Sequence, residues 1–442
     1  MEKKTIIPLA WMMGLFVSPE ALLLQGRIAG ICGLGFVFPL AAALILHWLN
    51  AIGTPSNEGP GTTPSGEIQL LTDSWGPFAA SLLLLMARPV LAVCLATAVL
   101  VTSGFVFNEV FLYWFPNFGF AALVLVILLI VNLAGPQAAA AAQVLFTTTA
   151  IIGLAGLSMV GLFTWSQALP PPQRVLTGAN SQSISLAVIA LVGYDLLRYT
   201  DHNLDQTRLT TTIKTGLIAG GLLFMLWNMA SLLFVAPSGL MGTNIPHILV
   251  AKTILGPTGR IVIGVVAIAG ACAAVNYLYQ SVARMMARMA HHHLLPPLWA
   301  RSASRPVLAL SSLAATTGLL MAMGFAGSDL LDVSMRAGLL LWLVFYALTH
   351  LARLLQARRK RNHGNQDHAA QHGILHLCIA LTMLVVATTL GATDDAPIVL
   401  LKAISAILAL AAGFAGGGLL FTRRIAVRPA LRRAEIKKGT KS

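Results

Sequence analysis

The stretch "LAVIALVGYDLLRYTDHN", from Leu186 to Asn203, is the most informative part of this sequence. Its first residues are apolar enough to lie in a lipid bilayer, but Gly193, Tyr194 and Asp195 then interrupt the run. A carboxylate within a membrane helix costs free energy that is offset only by a function or by a bonded partner. The stretch therefore predicts a membrane span that is broken near Gly193.

The whole chain has the composition of a membrane protein. Of its 442 residues, 57% are hydrophobic and 10% are charged, whereas a soluble domain has about 25% charged residues. Runs of about 20 apolar residues, the length that crosses a bilayer as a helix, recur along it. The predicted fold class is an all-α polytopic membrane protein with about twelve transmembrane helices, at residues 5–24, 28–50, 78–105, 118–134, 141–165, 183–200, 213–236, 258–283, 306–326, 332–352, 373–391 and 396–421.

The net charge is +14, and the basic residues behind it are distributed along the chain at the ends of spans rather than gathered in one basic segment. If the N-terminus lies inside, 22 of the 29 Lys and Arg residues fall near the cytoplasmic ends of spans. This bias is the usual orientation signal, and it predicts a multi-pass protein of the plasma (inner) membrane with both termini cytoplasmic. The basic tail 422–442 is predicted to bind anionic lipid. No nucleic-acid partner is needed to explain the charge.

The motifs argue against an enzyme. The sequence contains no phosphate-binding loop, HExxH, GxSxG or CxxC, and neither a cofactor nor a metal is predicted. The four cysteines fall in apolar spans and show no ligand spacing. The triplet His291–His293 is interpreted as a solvated loop, because neighbouring residues of a helix point about 100° apart and could not easily converge on one ion.

Two apolar spans are interrupted in corresponding places. "MMGLFVSPEALL" (12–23) contains Gly14, Ser18 and Pro19 within span one, and Gly193 interrupts span six. Span six lies five spans after span one, so the two cross the membrane in opposite directions. Interrupted spans in matching positions of two halves indicate an inverted-repeat transporter. The alternative is that Gly14 and Gly193 are close helix contacts, which are common in membranes.

The breaks predict a binding site for a small solute. A helix that unwinds in the bilayer frees peptide N–H and C=O groups that lipid cannot satisfy. Those groups and the partial charges of the helix ends can bind an ammonium and a carboxylate. Glycine permits the unwound dihedrals and the close approach of the solute. The predicted substrate-binding residues at the breaks are Met13, Gly14, Leu15, Leu191, Val192, Gly193 and Tyr194.

Three polar residues within spans each have a functional and a structural interpretation. Arg88 could hold a substrate carboxylate with its two-pronged donor geometry, or it could pair with Asp195 or extend to the interface. Asp195 could carry a proton or bind a cation, but a cap of the second half-helix is the favoured interpretation. Asn276 could line an ion site, although interhelical hydrogen bonding is the commoner role.

Motifs along most of the chain resemble those of a known transporter family. "ALVGYD" (190–195) is similar to the pattern Ala-Phe-Ile-Gly-Phe-Asp, and "SVARMMARMAHHHLLPPLWA" (281–300) is similar to a run that leaves an eighth helix. Further similar stretches follow the family's order, at 65–80, 132–150, 245–276 and 334–361. The family is the amino acid–polyamine–organocation superfamily, and the resemblance is closest to its cationic amino acid transporter branch.

The resemblance implies a leucine-transporter-type fold, in which two five-helix repeats are inverted relative to each other. Residues 1–165 would form the first repeat and 183–352 the second. Two additional helices would follow in 373–421, and then the basic tail 422–442. The resemblance also implies a substrate site between the breaks of helices 1 and 6.

The first-helix motif departs from the family. The pattern Gly-Ser/Thr-Gly-Ile-Phe is replaced here by Met12-Met13-Gly14-Leu15-Phe16, so two bulky side chains stand where the family binds a carboxylate. Ala150 aligns with a position at which some members carry a lysine in place of a sodium ion. The resemblance therefore gives no support to that lysine mechanism.

The predicted function is secondary-active transport of an amino acid or a related amine by alternating access, coupled to protons or operating by exchange. The partners would be this small solute and membrane lipid, and a homodimer is left open. The alternative is a non-transporting sensor or assembly subunit that has kept the transporter fold. The replacement at Met12 and Met13 favours that alternative.

Overall fold

The computed structural model describes residues 3–52, 66–164, 180–200, 206–243, 245–300, 306–325, 328–361, 367–392 and 396–439. The Gly-, Pro-, Ser- and Thr-rich composition of 52–67 predicts a flexible inner loop, and the prolines of 169–173 predict a stiff outer turn. Most of that loop, the turn, and Asp201 and His202 lie outside the described residues. Every regular element that is described is helical.

The described residues form fifteen α-helices and three short 3₁₀-helices. The 3₁₀-helices are Gly33–Phe36, Tyr194–Leu196 and Pro297–Ala300. The α-helices are α1 (Lys3–Phe16), α2 (Pro19–Cys32), α3 (Val37–Ile52), α4 (Gly66–Val110), α5 (Asn117–Ala134), α6 (Pro136–Phe163), α7 (Ser181–Ala190), α8 (Leu197–Thr200), α9 (Gln206–Phe234), α10 (Pro237–Met241), α11 (Pro246–His291), α12 (Val307–Ala322), α13 (Asp329–Arg361), α14 (Asp367–Ala392) and α15 (Pro397–Gly439).

The helices confirm an all-α polytopic membrane protein. Ten helical segments in the described ranges are long and apolar enough to cross a bilayer, and the apolar helices Ile6–Phe16 and Val307–Ala322 are shorter. Together they follow the predicted spans in order. The last helix, α15, continues as helix into the predicted tail, to Gly439.

The turn between the first two spans differs from the prediction. The sequence predicted it at 25–27, between spans 5–24 and 28–50, but α2 continues to Cys32 and the chain turns through Gly33–Phe36. Gln25 is polar and yet fully buried. Its Oε1 accepts a hydrogen bond from Nδ2 of Asn228 on α9 at 2.8 Å. A polar residue that is paired between helices resembles a loop residue in the sequence alone.

The two longest helices are kinked in the same way. Gly76 in α4 has φ 82° and Gly256 in α11 has φ 59°, and a proline follows each glycine. Glycine tolerates positive φ, and proline has no N–H that the kink would leave unpaired. Each kink separates a short arm, 66–75 or 246–255, from the span that follows. The predicted spans 78–105 and 258–283 therefore begin directly after the kinks.

The broken sixth span lies at the centre of the bundle. Of the apolar stretch within Ser181–Thr200, 83% is buried, against 22% for Pro397–Thr422. The helices α2, α3 and α14 pack against its first half and α11 against its second half, and α15 lies at the periphery. Broken backbone in a membrane protein is tolerated only where it is enclosed by protein or lines a cavity. The architecture meets that condition.

Helix α11 approaches the first break through a glycine. A Cβ atom at Gly270 would lie well inside van der Waals contact of the Val17 carbonyl oxygen, which is part of the backbone and cannot rotate away. A Cβ atom at Gly156 on α6 would meet no atom within 4 Å. The close packing of α11 against the break therefore requires glycine at position 270.

We expect Gly270→Ala to lower the free energy of unfolding by about 1–3 kcal/mol, the usual cost of overpacking a filled core. The matched change Gly156→Ala should be neutral or slightly stabilising, because alanine favours helix and the site is open. Thermal unfolding of both variants in one detergent measures the difference. Equal melting temperatures would contradict the close approach.

Candidate functional site

The first span is broken at Val17 and Ser18. Helix α1 ends at Phe16 and α2 begins at Pro19. Ser18 caps α2, because its Oγ accepts a hydrogen bond from the Ala21 N–H at 3.2 Å. Proline at the first helical position has no N–H to leave unpaired. The break thus follows the Met12–Phe16 motif, whereas Gly14 itself is helical.

The sixth span is broken at Leu191, Val192 and Gly193. Helix α7 ends at Ala190, and Gly193 adopts the left-handed conformation with φ 100° before the 3₁₀-helix Tyr194–Leu196 begins. The short helix α8 then completes the span. The break lies where the sequence predicted it, because the left-handed region disfavours any residue with a Cβ atom.

Side chains from other spans satisfy carbonyl groups beside this break. Nε2 of His47 on α3 lies 2.9 Å from the Val188 carbonyl oxygen. The hydroxyl of Tyr277 on α11 donates to the Gly193 carbonyl oxygen at 2.9 Å. The sequence analysis missed His47, although a histidine within the apolar span 28–50 was a signal for a buried polar contact.

The two breaks meet through Leu15 rather than through Gly14. Cδ1 of Leu15 lies 2.5 Å from the position that a Cβ atom at Gly193 would occupy. A Cβ atom at Gly14 would instead meet the Gln143 amide and the Ala273 backbone, on α6 and α11. Gly14 therefore makes the close helix contact that was the alternative interpretation. Its role in binding a substrate stays a prediction.

The two methionines of the altered motif are packed in the core. Met12 is fully buried and Met13 is 3% exposed. The sulfur of Met12 lies against Gly216 on α9, where a Cβ atom would clash with it. Protein atoms therefore occupy the space around Met12. The methionines of the altered motif affect the packing of α1 as well as its chemistry.

Arg88 lies in a buried ion cluster. Its Nη1 is 2.9 Å from Oε2 of Glu67, and its Nη2 is 2.5 Å from Oδ2 of Asp195. Arg198 also pairs with Glu67, at 3.1 Å. The guanidinium carbon of Arg88 lies 4.3 Å from the centre of the Phe345 ring. Two carboxylates and two guanidinium groups thus balance each other beside the sixth-span break.

Tyrosine hydroxyls complete the bonding of the two carboxylates. Tyr199 donates to Oε2 of Glu67 at 2.5 Å, and Tyr346 donates to Oδ1 of Asp195 at 2.6 Å. Buried ion pairs are tolerated when such bonds satisfy the remaining lone pairs. The cluster favours the structural interpretation of Arg88 as a partner of Asp195. Contact of Arg88 with a substrate carboxylate stays a prediction.

Glu67 is a member of the cluster that the sequence analysis missed. It lies on the arm 66–75 of α4, next to a segment that reads as a flexible loop. An acidic residue beside such a loop is ordinarily solvated, so only the folded chain shows that its side chain is 4% exposed.

Asn276 links three helices by hydrogen bonds. Its Nδ2 donates to Oε1 of Gln143 at 2.8 Å and to the Ala139 carbonyl oxygen at 3.0 Å. Its Oδ1 accepts from Nδ2 of Asn132 at 2.9 Å. These contacts match the interhelical interpretation, and a role in coupling stays a prediction.

The histidine triplet lies at the C-terminal end of α11, whose last residue is His291. His291 and His293 are exposed. Burial lowers the pKa of His292, and the charges of its two histidine neighbours lower it further. Within the described ranges, no group of three or more His, Cys, Asp or Glu residues could hold a metal ion.

A comparison with protein families identifies the family of this chain. Residues 7–424 match the family model described as amino acid permease, which is nearly the whole of the 442-residue chain. The chain belongs to the amino acid permease family and is a multi-pass membrane transporter. The predicted superfamily is therefore confirmed, and the cationic branch stays a prediction. The comparison with curated proteins gave no match.

We expect Gly193→Ala to destabilise the protein for two reasons. The left-handed conformation of a residue with a Cβ atom costs about 1–2 kcal/mol, and the added atom would also meet Leu15. Gly324→Ala is the matched control, because Gly324 has φ 74° and no atom within 4 Å of an added Cβ. In a Leu15→Ala background, Gly193→Ala should cost no more than Gly324→Ala does, because the side chain that the added atom would meet is gone. Equal losses for Gly193→Ala and Gly324→Ala would exclude the contact between the breaks.

Arg88→Ala should lower the free energy of unfolding by about 3–5 kcal/mol, because it leaves buried carboxylates without their shared cation. Arg260→Ala is the control, since Arg260 pairs with Glu109 at 2.7 Å and the two side chains are 35% and 59% exposed. An exposed pair is worth at most about 1 kcal/mol. Thermal unfolding in one detergent compares the two variants. A similar shift for both would show that the Arg88 cluster is solvated.

Proposed function

We propose that this permease is a secondary-active transporter of an amino acid or a related amine, which works by alternating access around the two breaks. The substrate would lie among Met13, Gly14, Leu15, Leu191, Val192, Gly193 and Tyr194, with Arg88 nearby. Asp195 and Asn276 are candidates for coupling or for structural support. Transport would be coupled to protons or operate by exchange.

The observation that carries this proposal is the contact between the breaks. Leu15, in the last turn of α1 before the first break, lies on Gly193 of the second break, in the most buried of the described spans. Freed peptide groups at two opposed breaks can bind both ends of an amino acid. A substrate would have to displace the Leu15 side chain, whose rotation requires no change of the backbone.

The kinked helices support an inverted repeat of 1–165 and 183–352. Helix α4 is the third span of the first half, and α11 is the third span of the second half. Each begins with a ten-residue arm at 66–75 or 246–255, followed by Gly76-Pro77 or Gly256-Pro257. Equivalent elements of two repeats would be built in this matching way. Helices α14 and α15 would be the two additional helices.

The ion cluster suggests which side of the transporter is closed. Lys and Arg residues place the Arg198 end of the sixth span in the cytoplasm. The cluster ties the arm of α4 to the second half of that span through Arg88, Glu67, Asp195 and Arg198. Passage to the cytoplasm would require these groups to separate and to become hydrated. In the orientation predicted from the Lys and Arg residues, this conformation would be the one closed towards the cytoplasm.

A second candidate function is a sensor or assembly subunit that does not transport. Met12 and Met13 are packed in the core, and Leu15 covers the glycine of the second break. A site that had lost its substrate would be filled by protein atoms in this way.

Uptake into proteoliposomes separates the two functions. Purified protein is reconstituted, and a panel of labelled amino acids and amines is tested with and without a pH gradient. The transporter should give saturable flux for at least one solute, and Gly193→Trp should abolish it while the protein still inserts.

A panel in which no solute moves or raises the melting temperature would contradict the transporter. The Met13→Ser variant then tests the second candidate, because serine would return a hydroxyl donor to the first break. Flux that appears only in that variant would show a retained fold with a lost site.

A further inference from the structure

A chain of hydrogen bonds connects α14 with the break in the sixth span. His350 on α13 faces His376 on α14, and their Nδ1 atoms are 2.9 Å apart. Nε2 of His350 lies 2.6 Å from Oδ1 of Asn50 on α3. Nδ2 of Asn50 donates to the Tyr194 hydroxyl at 2.5 Å. All four residues are at most 6% exposed.

The donors and acceptors determine where the hydrogens of this chain lie. Tyr194 accepts from Asn50 and donates to the His47 carbonyl oxygen at 3.4 Å. Oδ1 of Asn50 can only accept, so Nε2 of His350 carries a hydrogen. The Nδ1 of a neutral His350 is then an acceptor, and the hydrogen between the rings belongs to His376. Every member therefore donates in the direction of Tyr194.

The two rings can take up one further proton. The added proton forms one N–H bond on a ring lone pair, and no other covalent bond changes. The rings then share an Nδ1–H···Nδ1 bond with a charged donor, which is stronger than the neutral bond. A second added proton would place two N–H groups and two positive charges face to face across 2.9 Å. The pair therefore has a capacity of one proton.

The surrounding charges link this capacity to the conformation. Within the described ranges, the charged and titratable groups near the pair include Tyr346 and Arg353 on α13, His47 on α3, Glu67 and Arg88 on α4, and Tyr194 and Asp195 beside the break, with the exposed Lys402 on α15. The carboxylates of Glu67 and Asp195 are neutralised by Arg88 and Arg198. If the ion cluster opened, these carboxylates would attract a proton to the histidine pair more strongly.

A small cavity joins the chain to the ion cluster. Its volume is about 10 Å³, which is room for roughly one water molecule. It is lined by Asn50 and Tyr194 of the hydrogen-bond chain, by Glu67, Asp195 and Arg198 of the cluster with Tyr346, and by Arg353. Polar groups of both networks therefore face one space.

We propose that His350 and His376 form a binding site for one proton, and that this site controls Tyr194 at the break and couples protons to transport. A proton on the pair changes the charge at one end of the chain of hydrogen bonds. The other end of that chain is Tyr194, the residue next to Gly193. The coupling role rests on the proposed function. The binding of the proton does not.

The first test observes the rings without any substrate. Protein labelled at the histidine ring nitrogens is titrated by NMR in lipid nanodiscs over about pH 5 to 8, the range in which histidines usually titrate. Signals are assigned by their loss in His350→Gln and His376→Gln. The two rings should titrate as one coupled pair that takes up a single proton. Rings that stay neutral throughout, or that titrate independently, would overturn the proposal.

The second test measures coupling in proteoliposomes with a transported solute. His350→Gln and His376→Gln should lose accumulation driven by a pH gradient but keep exchange in its absence. His247→Gln is the control. His247 is also buried, but it lies on the arm 246–255 and is not part of the chain of hydrogen bonds. Accumulation that persists in both pair variants would overturn the coupling role. If the wild type moves no solute, the proposed function fails, and the titration alone decides the proton site.

Discussion

The structure depends on a partner for each peptide group that a broken helix frees inside the bilayer. Lipid offers no hydrogen bond, so unwinding is confined to places where the protein supplies one. His47 and Tyr277 reach the carbonyl groups of Val188 and Gly193 from other helices, and Ser18 caps the second half of the first span. A solute that bound at Gly193 would compete with Tyr277 for the same oxygen. In the proposed function, binding of the solute and closure of the break would therefore depend on the same acceptor.

The same constraint organises the charges. A lone Arg88 at this depth would be costly, but with Glu67, Asp195 and Arg198 it forms a four-residue cluster whose charges sum to zero. The balance holds only while the groups stay together, because separated buried charges lose their partners and need water. The cluster is thus a stable contact in the conformation described. In any conformation that separates its groups, each charge would need water. The small cavity lies between the cluster and Asn50 and Tyr194 of the hydrogen-bond chain, so the proposed proton site and the charges belong to one region.

Family membership and the altered first helix lead to different expectations about the site. The chain matches the permease family over residues 7–424, which supports a moving, solute-binding protein. Protein atoms occupy the region between the breaks, because Met12 is packed in the core and Leu15 contacts Gly193. Leucine and methionine side chains rotate more readily than backbone moves, so occupation by them is compatible with a solute site that opens. The retained backbone break, more than the side chains that cover it, argues for transport.

The sequence by itself determined the membrane class, the helices, the sixth-span break and the family, because apolar length, glycine, proline and motif order act over short distances along the chain. It also offered the pairing of Arg88 with Asp195 as one of its alternatives. The sequence predicted an interruption of span one by Gly14, Ser18 and Pro19, and only the tertiary structure showed that the break lies at Val17 and Ser18 while Gly14 is helical. It also moved the first turn from 25–27 to Gly33–Phe36. The tertiary structure alone joined Glu67 to Arg88. It also joined His350 to Asn50, and these two residues are 300 positions apart in the sequence. Buried polar groups select partners by proximity in space, and no local pattern records that proximity.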